Sequence, residues 1–165
     1  MDPVHFTGKE IIEMAVRIEE NGYTFYKDAA ENARTEPLKA LFSKLAEEER
    51  DHIVSFKDIK SSIPDDSPPP EFDPFIAEAN AYLKSMADYE VFTEPGDGDK
   101  LPDTIFDEKQ ALGFAINMEK DSLLFYYELI KMVTDKDLVV VEKLIAQEKD
   151  HLRRLTIEHD NLFGE

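Results

Sequence analysis

Two Glu-x-x-His pairs, Glu49 with His52 and Glu148 with His151, carry the groups in this chain best suited to chemistry. The i, i+3 spacing puts the two members of each pair on one face of a helix. Upstream of each pair a further acid, Glu19 or Glu119, falls inside an apolar stripe rather than on a polar face. Four inward carboxylates without compensation would each cost several kcal/mol, against a whole-domain margin of about 5–15 kcal/mol. Two divalent cations carry a charge of +4 and would balance them. Carboxylate and imidazole without thiolate suit iron or manganese better than zinc or copper, although affinity order alone does not exclude zinc.

Positioning these groups requires long helices. Four stretches show apolar residues at i, i+3, i+4 and i+7, and no alternating β-branched pattern competes with them, so the expected class is all-α. The first helix is expected to start at Thr7, with Glu10 completing a capping box, and to run to about Ala33. A second, with Pro37 in its first turn, runs to about Lys60. Ser61 to Pro70 reads as linker because of its prolines. A short helix is expected at about Pro74 to Phe92. A third long helix starts near Asp103 or Thr104 and ends near Val133, and a fourth covers about Lys136 to Asn161. These make two antiparallel hairpins, about 8–60 and 104–161, within a single domain spanning 1–165. A long crossover, about 61–103, joins them into a four-helix bundle.

The halves repeat. Sliding the chain by 100 residues lays Ala15, Glu19, Phe25 and Tyr26 on Ala115, Glu119, Phe125 and Tyr126. A slide of 99 lays Leu45, Glu49, Asp51 and His52 on Leu144, Glu148, Asp150 and His151. Height along the bundle agrees: each acid lies about 15 residues from its hairpin turn, roughly 22 Å at 1.5 Å per residue. Four carboxylates and two imidazoles are therefore expected at one level.

The runs AVRIEENGYTFY and LAEEERDH, repeated as AINMEKDSLLFY and IAQEKDH, resemble the di-iron domain of the rubrerythrins within the ferritin-like superfamily. The resemblance covers both hairpins and implies a ferritin-like fold with two iron ions held by Glu19, Glu49, His52, Glu119, Glu148 and His151. It implies Glu49 and Glu119, or their pseudo-symmetric equivalents, as bridging carboxylates. Tyr26 and Tyr126 match tyrosines that hydrogen-bond to ligand carboxylates in that family; as core aromatics with a polar tip they would need no such role. The implied activity is reduction of hydrogen peroxide or dioxygen. Iron binding with ferroxidase activity, a dimanganese catalase-like enzyme and a bundle without turnover are the alternatives. Two departures matter: Ser122 stands where typical rubrerythrins carry an extra glutamate, and the chain has no cysteine for a rubredoxin module. Electrons would come from an external donor such as a rubredoxin.

Composition narrows the partners. With 19 Lys+Arg against 37 Asp+Glu, the formal charge of -18 disfavours nucleic acid and anionic membranes. The lack of cysteine excludes disulfides and thiolate metal sites. No apolar run of spanning length or secretory pattern occurs, so a cytoplasmic location is the expectation. The run Leu123–Tyr127 is too wide for one core stripe, which points to a homodimer contact or to cover by the crossover helix. His5 and His159 fall outside the repeat and read as surface residues.

Overall fold

A computed structural model describes residues 7–64, 107–131, 133 and 135–164. Among the described residues there are four helices and no strand: α1 Gly8–Asn32, α2 Glu36–Ser62, α3 Glu108–Leu129 and α4 Asp135–Phe163. The expected helix at 74–92 and most of the crossover lie outside the described residues, as does His5.

Local chemistry explains the ends. Thr7 caps α1 as expected: its hydroxyl accepts from the Glu10 amide at 3.3 Å, and the Glu10 carboxylate accepts from the Thr7 amide at 2.7 Å. Pro37 sits in the first turn of α2. That helix runs through Ser62, beyond the expected end near Lys60. Proline restricts itself and the residue before it, so Pro64 acts only on Ile63, which is extended at φ -85 and ψ 123. Ser61 and Ser62 stay helical, their hydroxyls donating to the Lys57 and Ile59 carbonyls. α3 begins at Glu108, later than the expected 103 or 104, because extended Asp107 is its cap and accepts from the Lys109 amide at 3.2 Å. It also ends at Leu129 rather than near Val133, and α4 runs to Phe163.

α1 packs against α2 and α3, and α4 against α2 and α3. The Arg34 amide, in the turn after α1, donates to Glu108 at the start of α3 at 2.7 Å. At the other end Gly8, Ile63, Leu129 and Asp137 line one small cavity. All neighbouring helices are therefore antiparallel. The chain leaves α2 at one end and enters α3 at the other, a distance of about 40 Å for a 27-residue helix.

This arrangement divides the core. One apolar cluster contains Ile11, Ile18, Phe56, Leu123, Leu129 and Leu144. The second contains Phe25, Leu38, Leu45, Leu112, Ala115 and Leu155. On every helix the sequence-predicted acids and histidines lie between the two clusters, with Gly22 on α1 and Ser122 on α3 buried beside them. The polar layer thus crosses the bundle at one level, flanked by apolar residues that exclude water. On α3, Leu123, Phe125 and Tyr126 enter the core, whereas Leu124 and Tyr127 are 51% and 43% exposed among the described residues.

Candidate metal centre

Glu19 comes from α1, Glu49 and His52 from α2, Glu119 from α3, and Glu148 and His151 from α4. None of the six is more than 3% exposed. They form two groups, Glu19, Glu49, His52 and Glu148, and Glu49, Glu119, Glu148 and His151, each with ligand atoms all within 4.8 Å of one another. Glu49 and Glu148 belong to both. Glu49 places Oε2 at 3.2 Å from His52 Nδ1 and Oε1 at 3.2 Å from His151 Nδ1. Glu148 places Oε1 at 2.7 Å from His52 Nδ1 and Oε2 at 3.2 Å from His151 Nδ1. Each therefore offers one oxygen to each half. Glu19 lies 3.4 Å from His52, and Glu119 lies 3.6 Å from His151. The resemblance leaves the bridging pair open, and the two carboxylates common to both groups are the Glu-x-x-His acids, Glu49 and Glu148.

Buried atoms without hydrogen-bond partners show that the residues fit a cation. Both ring nitrogens of His52 and His151, and Oε1 of Glu148, make no hydrogen bond among the described residues. Yet each Nδ1 faces three carboxylate oxygens at 2.7–3.6 Å. Polar atoms that converge without bonding one another have the arrangement a shared metal ion would satisfy.

The electrostatics divide the acids by place. Burial, with the Glu49 and Glu148 charges, pushes Glu19 well above the usual carboxylate range. Burial and Glu148 do the same to Glu119. For Glu49 and Glu148 burial also opposes ionisation, but the partners around them outweigh it, chiefly Glu19 and the imidazoles for Glu49 and the imidazoles for Glu148. Both fall below the usual range. The carboxylates overcome burial at both histidines, lifting His52 strongly and His151 to about 12.

Tyr26 donates its hydroxyl to Glu119, and Tyr126 donates to Glu19. Each tyrosine serves the acid on the neighbouring antiparallel helix. Seven residues along its own helix is about 10.5 Å, too far to reach its own acid. Burial, and then the adjacent carboxylate, pushes both phenols well above their usual range and keeps them donors.

Three further residues were not singled out by sequence pattern. Glu48 lies 3.3 Å from His151 Nε2 and pairs with Arg154 at 2.5 Å. The acid run Glu47–Glu49 hid it, since only Glu49 fell on the stripe. Gly22 is the third. A Cβ there would meet Glu49 Cδ and Cγ at 3.5 Å, an ordinary contact. Gly22→Ala is therefore expected to stabilise the fold by about 0.5–1 kcal/mol in urea melts while keeping full metal content. Gly22→Leu is expected to displace Glu49 and reduce the metal content of the purified protein. His159, with its side chain 29% exposed and 3.6 Å from Asp160, stands apart from the centre.

Comparison with known proteins bears on the family and the fold. The rubrerythrin family model matches residues 10–159. A crystal structure of a candidate ferritin-like diiron-carboxylate protein from Thermotoga maritima is 30% identical, with a TM-score of 0.71 over 94% of this chain and 95% of that one. No curated protein matches the chain. Among the described residues no helix is long and apolar enough to cross a membrane.

Proposed function

The chain belongs to the rubrerythrin family, and on that premise we propose a non-haem di-iron oxidoreductase that reduces hydrogen peroxide, or dioxygen, with electrons from an external donor protein. The observation that carries this reading is the sharing of Glu49 and Glu148, each with one oxygen toward each histidine. Glu19 with His52, and Glu119 with His151, would complete the two metal positions. Two bound iron ions would supply two electrons and bind the oxygens of the substrate.

The protein's part is placement and protons. Reduction of peroxide to two waters consumes two electrons and two protons. Tyr126 Oη holds a proton against Glu19 Oε1, and Tyr26 Oη holds one against Glu119 Oε1, so each outer carboxylate sits beside a proton donor. The apolar clusters on either side keep bulk water from the layer, which strengthens these interactions. The 165 residues include no cysteine to hold a rubredoxin-type iron, and an external rubredoxin is the proposed donor. The exposed Leu124 and Tyr127 support a homodimer through α3.

Stopped-flow mixing tests the activity. Reduced, iron-loaded protein is expected to be reoxidised faster by peroxide than by dioxygen. Equal or slower reaction with peroxide would favour the second reading, iron binding with ferroxidase activity. Ser122 is the observation behind that alternative: it is 7% exposed, and its hydroxyl donates to the Met118 carbonyl at 3.1 Å, so no extra carboxylate reaches the layer from this position. Metal analysis of the same samples separates iron from manganese or zinc.

A further inference from the structure

The internal repeat does not extend outward from the centre. On the His151 side, the ring turns Nδ1 inward and places Nε2 3.3 Å from Glu48 Oε2, within ion-pairing distance although off the hydrogen-bond direction. The same Glu48 oxygen accepts from Arg154 Nη2 at 2.5 Å. Arg154 Nε lies 2.9 Å from Asp150 Oδ2, and the Arg154 side chain is only 17% exposed. Asp150, Arg154 and Glu48 thus form an ion-paired chain that ends behind the His151 ring.

The 99-residue slide that relates the two histidines relates Glu48 to Gln147 and Arg154 to Ser55. The positions corresponding to the carboxylate and its guanidinium are therefore neutral in the other half. Neither Nε2 makes a hydrogen bond among the described residues, but His151 Nε2 has the Glu48 carboxylate at 3.3 Å, whereas the His52 ion pairs all run through Nδ1. A carboxylate behind a ligating imidazole fixes the ring and raises its basicity toward a metal. One half of the centre has a carboxylate placed to give that support, and the other has a neutral residue at the corresponding position.

We propose that the two metal positions are unequal, with Glu48, held by Arg154, acting as a positioning residue that makes the His151 side bind its ion more tightly. This rests on the dinuclear reading above. Titrating the full, metal-free chain with Co(II), followed by visible absorption and calorimetry, tests it. Two steps separated by about 10–100-fold are expected in the native sequence. His52→Ala should retain the tight step and His151→Ala should remove it. Glu48→Gln should weaken the tight step by about 10–100-fold while leaving the other within about threefold. Gln147→Glu should tighten the weaker step, a gain that general loss of structure cannot produce. Equal steps in the native protein would overturn the proposal, as would Glu48→Gln weakening both steps alike or neither. If Glu48→Gln fails to fold, an unchanged weak step in Gln147→Glu overturns it. Failure of the native chain to bind two ions would instead overturn the dinuclear reading itself.

Discussion

Replacing Glu148 with alanine is expected to strip both metals from the centre, whereas replacing Glu119 should remove one. Glu148 reaches both histidines, with Oε1 2.7 Å from His52 Nδ1 and Oε2 3.2 Å from His151 Nδ1. Its loss removes an oxygen from each metal position and leaves Glu49 as the one carboxylate, among the described residues, that reaches both imidazoles. Glu119 belongs only to the His151 group, so the His52 group keeps Glu19, Glu49 and Glu148. Affinity at both positions should fall by more than about 100-fold in Glu148→Ala, beyond the 10–100-fold that changes outside the ligand set cause. Metal counts per chain, made on protein whose helix content matches the native chain, check the contrast. Two metals retained in Glu119→Ala would show that the ligand set is misplaced. Both lost there, with one kept in Glu148→Ala, would restore Glu119 as a bridge.

Metal loading is also expected to expel about four protons for every two divalent ions, since each displaced group must lose its proton before it can ligate. The balance follows from the opposite displacement of the groups in the metal-free layer. His52 is strongly raised and His151 is raised to about 12, so both imidazoles are protonated at neutral pH. Glu49 and Glu148 are held below the usual range, the direction that favours the ionised form, while Glu19 and Glu119 are pushed well above it, the direction that favours keeping their protons. With two imidazolium and two carboxylate charges the layer is expected to be neutral before loading. Four protons leave as two ions of +2 enter, and it is neutral afterwards. The sign is definite: protons compete with metal, so affinity falls as pH falls. Releasing about four protons corresponds to a change of about four decades in the overall binding constant per pH unit. A pH indicator in weakly buffered solution during loading reads the release directly. Release of fewer than one proton per two metals would contradict the assigned protonation states.

The same balance bears on the formal charge of -18, which counts every acid as ionised and every histidine as neutral. Four protons or two divalent ions in the layer both bring the chain near -14. The acid excess is thus partly an interior feature, and the remainder belongs to solvent-facing helix surfaces.

Periodicity made the helical class and the six converging residues legible because it reports which face of a helix turns inward. Glu19 and Glu119 were visible as polar residues in apolar stripes, and the repeat fixed the common height of all six. Features that depend on which helices become neighbours were less legible. Tyr26 bonds to Glu119 across the α1–α3 contact, and Glu48 reaches His151 across α2–α4. Neither pairing has a periodic signature along one chain segment. The bridging pair stays open in the sequence for the same reason, since the shared oxygens depend on how the hairpins face each other. Helix ends shifted where a local effect was given too much reach: Pro64 does not terminate α2 until Ile63, and Asp107 rather than an earlier residue caps α3.

The proposed dinuclear iron centre is built from Glu19, Glu49, His52, Glu119, Glu148 and His151. Metal analysis of the native chain, purified without added metal, tests it most directly. Two iron ions per chain are predicted; one or none, or another metal filling both positions, would contradict the account.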